Sequence, residues 1–296
     1  MRRSSFEPTG RILMDCPDMH TSLRFNMDNV QSVDWDRMWN RQMELSSRKW
    51  ADFDFWYERT QSPIRGIKQS NYLNELLSRM ELSPDHTVLD VGCGNGAIAI
   101  ALARKVRKVT ALDSEPSFLL LLTQKALAEG IANLRFVNED WTEAKIGYDV
   151  ETHDVVLASR SLPMGNLRKS LEQMHRASRR LCYLTWIVGG RENEAAICEV
   201  LGKEYHPLPE YPIIYNMLYE MGIYANIEIF ETTAVHRFSS LDEAVNESVK
   251  GYGEEVKTRQ LQEKVSALLE SQLTFEKKHC YLNTRTKWAL ISWRKG

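Results

Sequence analysis

The sequence predicts an α/β fold built on a doubly wound, mostly parallel, seven-stranded sheet. Three observations carry that expectation. Short apolar, β-branched runs alternate with helical patterns from Thr87 to Val188. A glycine-rich turn, Gly92-Cys93-Gly94-Asn95-Gly96, joins the first run to a helix. Two more strand patterns, Ile227–Phe238 and Thr286–Lys295, follow after the alternation loosens at Gly189–Gly190. Strands separated by helices require crossover connections, which are right-handed and give parallel pairing.

Residues 1–33 are polar and broken by Pro and Gly, and read as a loose arm. Residues 34–82 read as a helical aromatic lid. Four tryptophans, Trp35, Trp39, Trp50 and Trp56, stand there among charges, and Asn71–Leu82 has helical spacing until Ser83–Pro84 stops it. The rings either pack on a core or close over a small-molecule pocket. A core at 83–238 and 280–296 follows, with a helical insertion at 239–279. Within the core, Thr87–Val91, Lys108–Leu112, Leu134–Val137, His153–Arg160 and Leu181–Val188 read as strands. Ala97–Lys105, Ser117–Glu129, Leu167–Arg179 and Asn193–Gly202 read as helices, the second ended by Gly130 as a cap. The proline-rich run Tyr205–Tyr215 reads as a loop or short turn before Asn216–Met221, and Tyr211, Tyr215 and Tyr219, at i, i+4 and i+8, share one helix face that reads as core or as a substrate wall. Leu241–Leu273 reads as a helix broken near Gly251–Gly253, and Leu261, Val265, Leu268 and Leu269 form its packing face.

Composition narrows the function. The 296 residues carry 38 Lys plus Arg against 40 Asp plus Glu, a net charge of −2. That balance gives no global field for nucleic acid or an anionic membrane. The basic runs Ala103–Lys108 and His175–Arg180 are short and read as solvated helix ends. The longest apolar cluster, Phe118–Leu122, is far too short to span a bilayer, and no signal-length apolar stretch follows Arg2 and Arg3. Five cysteines without a CxxC spacing read as free thiols with no metal site, and place the chain in the cytoplasm.

The glycine turn and two acids define the ligand. Asp90 ends the first strand and Asp113 the second. A turn with alternating glycines behind an acid is poorly suited to a pyrophosphate and suits a cationic group. An acid ending the second strand suits the two hydroxyls of a ribose. The ligand therefore needs a ribose and a cationic end, and no phosphate.

With Asn138-Glu139-Asp140-Trp141 after the third strand, the pattern over Thr87–Val188 resembles the class I S-adenosylmethionine-dependent methyltransferases, of Rossmann-like fold. The resemblance implies S-adenosyl-L-methionine as cofactor and S-adenosyl-L-homocysteine as product. It implies that Asp90 and the amides around Gly92, Cys93 and Gly94 hold the methionine portion, that Asp113 takes the ribose, and that Ser114 lies beside the adenine. Asp140 would accept from the adenine amino group, with Trp141 flanking the ring; the structural alternative for Asp140 is a turn or cap acid. Ser159 and Arg160 would line the space near the sulfonium. The Trp50-to-Tyr57 spacing resembles the lid of small-molecule members and would set Tyr57 over the cofactor. Cys93 is a small filler in this pattern, not a nucleophile.

In-line methyl transfer needs an oriented nucleophile more than a signature base. Arg160, His206 and Tyr215 are the candidate catalytic or acceptor-orienting groups, with an aromatic cap from residues 34–60 and 205–224. Arg160 reads equally as a clamp for a substrate carboxylate and as a structural ion-pair partner. His153 stands at the wrong end of its strand and reads as structural. The expected partner is a small-molecule acceptor, on a monomer or homodimer, without membrane or nucleic acid. An RNA or protein methyltransferase, a non-catalytic cofactor-binding partner protein and a nicotinamide oxidoreductase are the competing readings.

Overall fold

The computed structural model describes residues 33–47, 66–162, 166–191, 193–253 and 258–296. Tyr57, Trp50, Trp56, Cys16 and the arm at 1–32 lie outside them. The helices are α1 (Trp35–Leu45), α2 (Tyr72–Ser78), α3 (Ala97–Ala103), α4 (Pro116–Ala128), α5 (Leu167–Ala177), α6 (Glu194–Leu201), α7 (Tyr211–Glu220), α8 (Leu241–Val249) and α9 (Arg259–Glu270). The strands are β1 (Gly66–Ser70), β2 (Thr87–Val91), β3 (Lys108–Asp113), β4 (Leu134–Asn138), β5 (His153–Ser159), β6 (Ser178–Val188), β7 (Asn226–Phe238), β8 (Leu273–Glu276) and β9 (His279–Arg294).

Among the described residues the sheet has nine strands, in the order β1-β7-β9-β6-β5-β2-β3-β4, with β8 on β9. Seven of them form the expected sheet. Strands β4, β3, β2, β5 and β6 run parallel, while β9 and β7 are antiparallel. The order turns back between β2 and β5, so the ligand crevice of such a sheet opens at the carboxyl ends of those two strands. Strands β1 and β8 are additions. The interval read as a wholly helical lid contains β1, which pairs antiparallel with β7.

Two other expectations are corrected. Tyr211–Tyr215 is not loop but the start of α7, with a proline in its first turn. A proline there lacks only an N–H that the helix leaves unpaired anyway. The insertion is not wholly helical either, since β8 and β9 make a hairpin over Leu273–Leu282. Val265 and Leu269 are buried with Ala244, Val245 and Cys280 in a small separate core, as a packing face requires.

Side chains alternate along each strand, so the sheet has two covered faces. Leu89, Val91, Val156, Ala158, Leu184 and Trp186 meet α1, α5 and α7 on the first face. Val88, Val155, Leu157, Leu181 and Tyr183 meet α2, α3 and α4 on the second. Trp39 is fully buried on the first face, 4.8 Å from the Trp186 ring, so this lid tryptophan belongs to the core. Among the described residues no helix is long and apolar enough to cross a membrane, and no cluster suits a metal ion.

Candidate active site

The β2–α3 turn is held by its own backbone. Gly92, Gly94 and Gly96 all have φ between +51° and +80°, a region closed to most side chains. A Cβ on Gly92 would strike Ser161, and one on Gly96 would strike Leu122. A Cβ on Gly94 would meet nothing within 4 Å, so space opens there. The amides of Gly92 and Cys93 donate to the Leu112 carbonyl, at 2.8 and 3.0 Å, and the Gly94 amide donates to Asp113 Oδ2 at 2.8 Å. The three N–H groups that the motif assigns to a methionine tail are thus engaged within the protein.

The groups still open to a ligand are the acids. Asp90 is 1% exposed, and its Oδ2 has no hydrogen-bond partner. Burial, reinforced by the negative charge of Asp113, raises its carboxyl to about 7. A buried, unpaired carboxylate is costly and calls for a cation or donor from outside the fold. Asp113 is also raised, chiefly by burial, against the lowering effect of the Glu115 and Gly94 amides it accepts. A carboxylate offers about four acceptor positions, so Asp113 retains capacity for hydroxyls.

The remaining expected contacts are distributed as follows. Ser114 is exposed beside Asp113. Asn138 Nδ2 donates to the carbonyls of Asp113 and Ser114, tying the ends of β3 and β4 together. Asp140 Oδ1 accepts the amide and hydroxyl of Thr142, both at 2.7 Å, so one oxygen serves as a turn acid and the other stays open. Trp141 is 5% exposed, packed in the first-face core, with its indole N–H directed at the Ser170 carbonyl. The Cys93 thiol is raised well above its usual range by burial and by Asp90, and stays protonated.

A second cluster stands at the ends of β5 and β6, and half of it carries no sequence motif. The Tyr72 hydroxyl, from α2, is 2.8 Å from Ser159 Oγ and 2.7 Å from Thr185 Oγ1. Burial pushes the Tyr72 phenol up, against the opposing effect of Arg160. Arg160 is one of three non-glycine residues with positive φ among those described, at 57°, and its amide donates to Thr185 Oγ1 at 3.1 Å. Its guanidinium carbon lies 4.1 Å from the Tyr72 ring centroid and 5.8 Å from that of Trp288. The alternative of a structural ion pair for Arg160 is not met among the described residues.

Arg160, His206 and Tyr215 do not form one cluster. Tyr215 sits half-buried on α7, a helix that packs on the first face, whereas the Arg160 guanidinium lies over Tyr72 of the second. His206 exchanges backbone contacts with the end of α1: its amide donates to Ser47 Oγ and its carbonyl accepts the Ser47 amide. Its Nε2 is 3.5 Å from Glu204 Oε2. Arg168, on α5, bridges Asp36 of α1 and Glu220 of α7. The two expected halves of the cap are therefore neighbours where they are described, but Tyr219 faces outward, 57% exposed.

Comparison with known proteins bears on this arrangement. Residues 88–180 match a family model described as a methyltransferase domain. An uncharacterized protein of Haemophilus influenzae is 33% identical over 165 residues, 56% of this chain and 61% of that protein. A ubiquinone biosynthesis O-methyltransferase of Serratia proteamaculans is 36% identical over 133 residues, 45% of this chain and 52% of that protein. This chain thus spans between a half and two thirds of the length of these two relatives. The crystal structure of a putative methyltransferase from Bacillus halodurans superposes with a TM-score of 0.52 at 18% identity, over 75% of this chain and 98% of that one, which shows a shared fold. The fold is the Rossmann-like α/β arrangement of methyltransferases. Residues 88–180 are thus similar to methyltransferase domains, and the whole sheet has their fold.

Proposed function

We propose that the protein binds S-adenosyl-L-methionine across the carboxyl ends of β2 and β3 and transfers its methyl group in line to a small molecule. The observation that carries this reading is the buried, unpartnered Asp90 oxygen beside a glycine turn open at Gly94. A ligand with an ammonium and a sulfonium supplies the cationic end that such a site lacks. In this reading Asp90 faces the amino-acid portion, Asp113 takes the ribose hydroxyls, and Ser114 and the free oxygen of Asp140 lie toward the adenine. Ser159 and Arg160 border the transferred methyl. Tyr57 over the cofactor, and His206 and Tyr215 beside the acceptor, are secondary elements of the same proposal. The protein then has little bond-making chemistry of its own: it orients the nucleophile and excludes water.

The test is thermal unfolding of the full chain with S-adenosylmethionine, S-adenosylhomocysteine and NAD. Ligand at about 100 times its Kd stabilises by about 2.7 kcal/mol, a shift of a few degrees for a domain of this size. The two sulfur nucleosides should produce it and NAD should not. A shift with NAD alone would convert the reading to hydride transfer, and no shift with any of the three would remove the cofactor from the site.

A further inference from the structure

The seating of Arg160 says something about the acceptor, provided the methyl-transfer reading holds. Ser161 Oγ donates to the Val91 carbonyl, and Ser161 lies against Gly92, so the residue after Arg160 faces the glycine turn. The Arg160 side chain goes the other way. It stacks on Tyr72 and reaches toward Trp288 of β9, three strands from β2. The Trp288 indole N–H bonds Thr232 Oγ1 on β7, so that ring extends still farther from the turn. The guanidinium thus lies over Tyr72, whose hydroxyl bonds the ends of β5 and β6, on the β9 side of β2. No carboxylate of the described residues pairs with it, and the side chain is exposed.

The hydroxyls beneath it have a direction. Three hydroxyl hydrogens, on Thr185, Tyr72 and Ser159, serve two oxygen–oxygen contacts. Thr185 is fully buried and already accepts the Arg160 amide, so its own hydrogen goes to Tyr72. Tyr72 then donates to Ser159, and the surplus hydrogen falls to Ser159, which alone of the three hydroxyl partners sits at a strand end beside Arg160. A guanidinium and a hydroxyl donor side by side recognise an oxyanion.

We propose that the methyl acceptor is an acidic small molecule, and that Arg160 with Ser159 takes its carboxylate or phosphate. Tyr72 is a positioning residue: its ring seats the guanidinium and its hydroxyl orients Ser159. The positive φ of Arg160 fits this role, since strained backbone persists where surrounding contacts fix it for a purpose.

The experiment titrates the full chain, loaded with S-adenosylhomocysteine, with benzoate, phenyl phosphate and neutral benzamide in a calorimeter. At least one anion should bind tenfold or more tighter than benzamide. Arg160→Gln should remove that preference, Arg160→Lys should keep part of it, and Tyr72→Phe should weaken the anion roughly threefold, a fraction of the charge-assisted bond. S-adenosylhomocysteine affinity should stay within about twofold of wild type in all three, which also reports that they fold. Equal binding of acid and amide, or no binding of any probe, overturns the proposal. So does a tenfold loss of S-adenosylhomocysteine affinity in Arg160→Gln, which would give the guanidinium to the cofactor's own carboxylate. Wild type that fails to bind S-adenosylhomocysteine removes the methyl-transfer reading, and the proposal with it.

Discussion

The two ends of the same parallel strands are built on opposite principles. At the amino ends the buried polar groups are paired within the fold. Asp154 accepts the amide and hydroxyl of Thr87, at 2.8 and 2.9 Å, and the Nε of Arg179 at 3.2 Å. Arg179 also reaches the Thr152 carbonyl and Thr87 Oγ1. Glu151 pairs with Lys108 and Arg135. His153 is 1% exposed, with Nδ1–H on the Glu151 carbonyl and Nε2 accepting from Thr110. An open cleft of about 570 Å³ lies at this end, bordered by Arg107, Lys108, Asn133 and Glu151, and its charges are largely engaged with one another. At the carboxyl ends Asp90 has an unpartnered oxygen, Arg160 has aromatic rings in place of an anion, and Gly94 faces open space. Satisfied polar groups hold the strands in register, whereas unsatisfied ones at the other end leave capacity for the proposed ligand. A cleft by itself does not mark the site.

The comparison can be broken at either end. The largest effect is expected from Asp113→Ala, which takes from the Gly94 amide its acceptor and removes the proposed ribose contact. The stabilisation of about 2.7 kcal/mol by saturating S-adenosylhomocysteine should vanish, measured as the loss of the ligand-induced shift in Tm. Asp154→Ala, at the amino end, leaves the Thr87 amide without its acceptor and Arg179 without its ion pair. It should cost about 2 kcal/mol in denaturant unfolding while S-adenosylhomocysteine affinity stays unchanged; a loss of affinity would mean that the two ends are coupled.

The pH dependence should also have opposite sign at the two ends. Asp90 is raised to about 7 in the folded protein, above its unfolded value, so the native state holds the extra proton. Its contribution is present in acid and is lost as pH rises from about 4 to 7. His153 is lowered to about 4, chiefly by burial, so the unfolded chain holds the extra proton. Its contribution is present above about 6.5 and is lost as pH falls toward 4. In the unliganded protein, Asp90→Asn should therefore steepen the rise of stability with pH between 4 and 6.5, and His153→Gln should flatten it. The bound is about 1.4 kcal/mol per pH unit for each, read from denaturant midpoints. Identical slopes in the two variants would show that these groups are not buried as described. The smallest effect belongs to Glu151→Gln: its ion pairs are exposed, and Tm should not move measurably.

Much of this was legible in the sequence, for identifiable reasons. Strands β2, β3 and β5 are buried on both faces, so they read as continuous apolar runs and their limits agree to within a residue or so. The two acids and the glycines sit in one contiguous motif and were found together. Strand β9 was expected from Thr286 and begins at His279, because its first half is polar and pairs only with β7 and β8. The turn before it is Lys277–Lys278, with Lys277 at φ 49°, in place of the Gly or Asn that would have announced a hairpin. Tyr72, Thr185 and Trp288 were missed as site residues. Each stands about a hundred residues from the next and is an ordinary helix or strand residue locally, so only the tertiary fold makes them neighbours.

Strand β9 has one more consequence, for the life of the nascent chain. It lies between β6 and β7, yet is synthesised after both. About forty residues separate the end of β7 from the start of β9, some 2 to 8 s of translation at ordinary ribosomal rates. Through that interval β7 has no place in the parallel sheet, and the free edge of β6 offers unpaired N–H and C=O groups to any passing strand. The helices that intervene pack Val245, Val265 and Leu269 with Ile197 and Leu201 of α6, a core to which β9 later adds Cys280. That local core can form early and keep the emerging chain from straying until the missing strand arrives, so damage to it should be felt first in yield from cells and only later in the finished protein.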